Sequence, residues 1–108
     1  MSIDLPKPIA SYFAADRESG AAVALCFTPD GIVKDEGHTY HGSDEIRSWK
    51  AQASTKFAYT SEPFASERQD SMTVITSRLT GNFPGSPVNL RYFFRLEGDK
   101  IASLEIIP

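Results

Sequence analysis

The last third of the chain alternates apolar and polar residues with the two-residue period of a β-strand. Residues 87–97 show this pattern most clearly. One face carries Val88, Leu90, Tyr92, Phe94 and Leu96, and the other carries Asn89, Arg91, Phe93, Arg95 and Glu97. One apolar face and one mixed face are typical of an antiparallel sheet that is covered on one side. Three further strands are predicted, at 58–68, 71–82 and 100–107.

The beginning of the chain has the periodicity of a helix instead. The positions that recur at helical spacing are Ile9, Tyr12, Phe13 and Asp16. We therefore expect Tyr12 and Asp16 to share or border the buried face of a first helix. A second, short helix is predicted over 21–27, and the Thr-Pro-Asp-Gly sequence at 28–31 predicts a turn.

A short strand and a polar loop connect these helices to a third one. The strand is predicted at 32–35, where the two-residue period places Val33 and Asp35 on the same face. A polar loop over 37–42 follows, and Ser43 is a good N-cap for the third helix. The apolar stripe of that helix consists of Ile46, Trp49 and Ala53, with Phe57 at its exit. Helices first and a long-stranded sheet afterwards predict an α+β domain.

Composition narrows the class of protein. A chain of 108 residues has room for one domain, 1–108, and 41% hydrophobic with 23% charged residues argues against disorder. A net charge of −3 with scattered basic residues excludes a nucleic-acid footprint. Cys26 is the one cysteine, which fits a reducing compartment. The N-terminus does not have the pattern of a signal peptide, and the longest apolar run, 21–27, is too short to cross a membrane. We expect a cytoplasmic protein.

Two stretches resemble a known family. The first is PIASYFAADRESGAAVALCFTPDGIVKDEGHTYHGSDEIRSW, and the second is FFRLEGDKIASLEI. Their order of an aromatic first helix, an acid-bearing strand, an Ile-Arg-x-aromatic helix and a final hairpin resembles the SnoaL-like branch of the nuclear transport factor 2-like superfamily. The resemblance implies a cone-shaped, curved antiparallel sheet wrapped around the N-terminal helices, with a pocket at its open end. It also implies homodimers formed through the outer sheet face, here Arg91, Phe93 and Arg95.

The resemblance leaves the activity open, because this superfamily contains isomerases, cyclases, dehydratases, hydrolases and non-enzymatic binders. Asp35 is the leading catalytic candidate, since a carboxylate in an apolar pocket has a raised pKa that suits a general base. Tyr12 resembles the tyrosine that donates to the oxyanion in the steroid isomerases. Tyr92 stands where those enzymes have a protonated acid, and a phenol can also donate. The structural alternatives are a solvated strand end for Asp35 and packed core tyrosines for the other two.

The histidines allow a catalytic, a metal-binding and a purely structural interpretation. His38 at the pocket rim is a candidate proton carrier, and a solvated loop histidine is the alternative. No metal is predicted, because His38 and His41 would point to opposite faces of an extended segment. No cofactor is predicted either, since the chain has no glycine-rich phosphate loop and no nucleophile motif.

The remaining predicted contacts are with a ligand. The residues expected to line the pocket are Phe13, Asp16, Val33, Trp49, Leu90 and Phe94. Arg47 and Lys50 are expected on the solvent-exposed face of the third helix. The sequence thus predicts either an acid–base enzyme for a small apolar or aromatic molecule, or a non-catalytic binder of such a molecule. A protein-interaction module is the third and weakest hypothesis.

Overall fold

A computed structural model describes residues 3–56 and 58–108, with no description of the side chains of 53–56. The predicted packing of Ala53 and Phe57 lies outside the described residues. The described part contains three helices, α1 (Lys7–Ala15), α2 (Gly20–Ala24) and α3 (Ser43–Lys56). Its six strands are β1 (Phe27–Asp35), β2 (His38–His41), β3 (Tyr59–Gln69), β4 (Met72–Gly81), β5 (Val88–Glu97) and β6 (Lys100–Ile107).

The strands form one sheet in the order β2-β1-β6-β5-β4-β3. Neighbouring strands are antiparallel except β1 and β6, which are parallel and therefore depart from the predicted arrangement. The register shifts in three places, within β1, after Pro63 in β3 and after Arg95 in β5. Such irregularities bend a strand and increase its twist. The predicted α+β fold with a curved sheet is confirmed, and the sheet stays open.

The core forms between α1 and the covered face of the sheet. The Tyr12 ring lies 5.5 Å from the Phe94 ring, and the Phe13 ring lies 5.2 Å from the Tyr92 ring. Tyr92 and Phe94 are buried while their neighbours on the other face of β5 are exposed or half-buried. The alternation read from the sequence is therefore confirmed for this strand. Burial of each large apolar side chain stabilises the fold by roughly 1.5–3 kcal/mol.

Three predictions of local structure are wrong. Helix α2 ends at Ala24, and the predicted turn at 28–31 belongs to β1. The reason is tertiary, because Phe27 pairs with Ile101 of β6 and the strand then continues through an irregular stretch. The polar loop predicted at 37–42 instead contains strand β2, which pairs with β1 in a hairpin. Its turn consists of Glu36 and Gly37, which both have positive φ, at 52° and 78°.

Candidate functional site

Asp35 is the last residue of β1, on the same side of the strand as the buried Val33. Its Oδ2 accepts a hydrogen bond of 3.0 Å from the indole Nε1 of Trp49 on α3. Burial raises the pKa of Asp35, and the neighbouring Glu36 adds to the increase. The Trp49 hydrogen bond and the charge of Lys50 act in the opposite direction but do not cancel it. The half-buried carboxyl is therefore closer to protonation at neutral pH than an ordinary aspartate.

Asp35 borders a cavity of about 550 Å³, which is a size that suits a small organic ligand. Apolar side chains from β4, β5 and β6 form much of its wall, including Leu79, Val88, Leu90 and Ile106. Polar side chains make up about half of the wall: Asp35, Glu36, Tyr40, Lys50, Gln52, Tyr59 and Tyr92. Apolar surface combined with polar groups that can orient a ligand is typical of a small-molecule site.

The two predicted oxyanion donors have different positions. Tyr92 borders the cavity. Burial raises the pKa of Tyr92, so the phenol keeps its proton at neutral pH and can donate it. Tyr12 is completely buried and is not among the residues that border the cavity. Its hydroxyl has no hydrogen-bond partner among the described residues.

The prediction that Lys50 lies on the solvent-exposed face of α3 is wrong. The side chain is buried, and its Nζ lies 2.6 Å from Oδ1 of Asp16. The Tyr59 hydroxyl donates to the same Oδ1 at 3.1 Å. Three rings surround the ammonium, with centroids at 4.8 Å (Trp49), 5.7 Å (Tyr12) and 5.8 Å (Tyr59). A sequence signal was available, because position 50 follows Ile46 by four residues and so falls on the same helix face.

His38 is exposed and lies opposite Asp35 in the β1–β2 hairpin. Directly opposed residues of an antiparallel pair share a face, so His38 is on the side of Asp35. It does not border either of the two cavities, and its role as a proton carrier stays a prediction. His41 is three residues along β2 and lies on the other face. The structure therefore does not bring the two imidazoles together.

The predicted ligand-binding residues divide into three groups. Trp49 and Leu90 border the cavity with Asp35. Phe13 and Asp16 border a second cavity of about 400 Å³, and Tyr59 borders both. Val33 and Phe94 are fully buried in the core and border neither cavity. A ligand in either cavity would reach them only after a rearrangement of the core.

The outer face of β5 has the side chains predicted for a dimer contact. Arg91 and Arg95 are exposed, and Phe93 is half-buried, with the Arg91 guanidinium 5.7 Å from its ring. The homodimer itself stays a prediction. Within residues 3–56 and 58–108, no helix combines the length and the apolarity needed to cross a membrane.

Solved structures with the same architecture are known. One, from Sinorhizobium meliloti, is described as a "putative polyketide cyclase"; it is 36% identical, with 99% of each chain covered and a TM-score of 0.91. A protein with a ketosteroid isomerase-like fold from Catenulispora acidiphila, in complex with trimethylamine, is 21% identical over 97% of this chain and 87% of that one, with a TM-score of 0.85. A nuclear transport factor 2-like protein of unknown function from Cytophaga hutchinsonii is 13% identical over 99% and 93% of the two chains, with a TM-score of 0.73.

The last two of these similarities concern the fold alone. No protein-family model matches the sequence, and no curated protein matches it either.

Proposed function

Because the chain belongs to the SnoaL-like branch of the nuclear transport factor 2-like superfamily, we propose that it is an enzyme that moves a proton on a small apolar or aromatic substrate by general acid–base chemistry. One observation carries this proposal. Asp35 is a carboxylate with a raised pKa, held by Trp49 at the wall of a cavity large enough for a small organic molecule. A base with such a pKa matches the requirements of proton abstraction near neutral pH.

In the proposed reaction, Asp35 removes a proton from a carbon next to a carbonyl group. The electron pair of the broken C–H bond moves to the carbonyl oxygen, which becomes an enolate, while Asp35 becomes neutral. The Tyr92 phenol borders the same cavity, and in this proposal it donates a hydrogen bond to that oxygen. Return of the proton to another atom gives isomerisation, and attack of the enolate on a second carbonyl gives cyclisation. The relative from Sinorhizobium meliloti supports cyclisation within this set.

The test needs no knowledge of the natural substrate. Ketones that carry an aromatic ring and acidic α-protons, such as 2-tetralone, are incubated with the protein in D₂O, and NMR follows the exchange of those protons. We expect Asp35→Asn to slow the protein-catalysed exchange by about a hundredfold or more, which is the usual contribution of a general base. Asp30→Asn is the matched control, because Asp30 is an exposed aspartate of the same strand. Equal exchange rates in wild type and Asp35→Asn would contradict the proposal, as would the absence of catalysed exchange across the panel.

A non-catalytic binder is the second candidate. It is favoured by the apolar part of the cavity wall, which Leu79, Val88, Leu90 and Ile106 form. Trp49 is the one tryptophan of the chain and borders the cavity, so its fluorescence reports ligand binding directly. A binder would take up an aromatic ligand with a similar Kd in wild type and Asp35→Asn, and neither protein would catalyse exchange.

A further inference from the structure

Lys50 is a buried cation next to the cavity, and the mechanism above does not use it. Removing an ammonium from water costs several kcal/mol, and its attraction to a partner often does no more than offset that cost. A well-packed apolar pair in place of Lys50 and Asp16 would therefore fill the contact between α1 and α3 at least as well. Stability alone does not explain why a charge is placed there.

The position of the ammonium indicates where that charge acts. Lys50 borders the same cavity as Asp35 and Tyr92. Two of the rings next to its Nζ, those of Trp49 and Tyr59, also belong to the cavity wall. An ammonium carries three N–H donors, and the ion pair with Asp16 occupies one of them. Lys50 therefore has N–H donors left for a ligand oxygen while it stays paired with Asp16.

We propose that Lys50 is a catalytic residue that stabilises the negative charge on the substrate oxygen, with Asp16 and Tyr59 as positioning residues. The inference rests on the proposed function, because Lys50 stabilises the negative charge that moves from Asp35 to the substrate oxygen in the proposed reaction. When the C–H bond breaks, Asp35 gains the proton and becomes neutral, and the charge appears on the enolate oxygen. A cation held in place by an ion pair stabilises that product of the transfer more than a neutral donor does.

The alternative is that Lys50 only connects α1 with α3. If the ion pair is only structural, loss of one partner should reduce the stability of the protein, whereas loss of both should leave it largely unchanged. If the ammonium is catalytic, both variants should lose its stabilisation of the negative charge on the ligand oxygen. Variants of Lys50 alone and of Lys50 together with Asp16 therefore separate the two interpretations.

The phenolate of 4-nitrophenol is the probe, because it imitates an enolate and absorbs visible light only when ionised. It is measured in the Asp35→Asn protein, whose neutral side chain imitates the protonated Asp35 of the intermediate. Absorbance across a pH series gives the affinity for the phenolate and for the neutral phenol separately. Nitrobenzene, followed by Trp49 fluorescence, measures binding of a neutral molecule of similar shape.

We expect Asp35→Asn to bind the phenolate more tightly than the neutral phenol. Adding Lys50→Met should weaken phenolate binding by about tenfold to a hundredfold, the usual effect of a charge-assisted hydrogen bond. Adding Lys50→Met and Asp16→Asn together should cause the same loss, although this pair of substitutions leaves no buried charge and keeps an amide acceptor for Tyr59. Lys50→Arg should retain most of the affinity. Nitrobenzene binding should change by less than about threefold in all of these proteins.

Lys34→Met is the matched control, since Lys34 is an exposed lysine next to Asp35 on the opposite face of β1. The proposal is overturned if the Lys50→Met, Asp16→Asn combination keeps its phenolate affinity, if phenolate and nitrobenzene affinities fall equally, or if no phenolate binding is measurable. Failure of the proposed function has a different signature. It would leave ketone exchange independent of Asp35, whatever happens to phenolate binding.

Discussion

Asp16 and Asp35 are two carboxylates beside the same layer of aromatic side chains, and their surroundings differ. Asp16 ends α1 and receives both the Lys50 ammonium and the Tyr59 hydroxyl. Asp35 ends β1 and receives a neutral indole N–H, with a cation near enough to affect it but not bonded to it. Burial raises the pKa of Asp35, and the indole that donates to it is neutral, so this carboxylate can take up a proton more readily than an ordinary aspartate. The difference supports the proposal that Asp35 transfers the proton and that Asp16 positions Lys50.

The sharpest way to break this comparison is to remove each carboxylate. Asp16→Ala leaves the buried Lys50 ammonium without its partner, so we expect a loss of about 3–5 kcal/mol in the free energy of unfolding. Asp35→Ala removes one hydrogen bond from a half-buried group, and we expect a loss of about 1 kcal/mol. Urea denaturation at pH 7, followed by far-ultraviolet circular dichroism, measures both.

The double variant Asp16→Ala, Lys50→Met is the control for this measurement. It removes both charges, so it should recover most of the stability lost in Asp16→Ala alone. A coupling energy near zero in this double-mutant cycle would show that the two side chains do not depend on each other. The contrast between the two carboxylates would then have no energetic basis.

A smaller effect is expected in the pH dependence that Asp35 gives to stability. Its pKa in the folded protein is raised above the ordinary value of 3.8. Between these two pKa values the native state binds more protons than the unfolded state, so stability decreases as the pH rises through that window. At pH 7 the charged Asp35 therefore costs stability. Asp35→Asn, which keeps an acceptor for Trp49, should be slightly more stable than wild type there.

Urea titrations of the two proteins across a pH series check this sign. The advantage of Asp35→Asn should shrink as the pH falls through the folded pKa and disappear below 3.8. Asp30→Asn, on the exposed part of the same strand, should show no such trend. An advantage that grows towards low pH would mean that the folded pKa of Asp35 is depressed, and the comparison with Asp16 would fail.

The half of this comparison that concerns Asp35 could be predicted from the sequence. A two-residue period decides which face of a strand a side chain occupies, so Val33 indicates the direction of Asp35. The same rule predicted the buried and exposed faces of β5. These are local properties, because neighbours along the chain determine them.

The half that concerns Asp16 and Lys50 could not be predicted in the same way. The ion pair joins α1 to α3, and its second donor, Tyr59, comes from β3. A lysine on a helix is usually exposed, and the partner that makes its burial tolerable is far away in the chain. Strand β2 was missed for a related reason, since its exposed side chains have no apolar alternation and its pairing with β1 defines it.

The smallest expected effect concerns Tyr12, a third polar group in the same layer. Its hydroxyl is fully buried without a partner among the described residues, and an unsatisfied buried polar group costs free energy. Tyr12→Phe should therefore leave the free energy of unfolding unchanged or raise it by up to about 1 kcal/mol. Tyr59→Phe is the matched control and should be destabilising by about 1–2 kcal/mol, because it removes a donor from Asp16. If Tyr12→Phe instead slowed ketone exchange by about tenfold or more, the Tyr12 hydroxyl would reach the substrate, and the separation of core tyrosine from cavity tyrosine would be wrong.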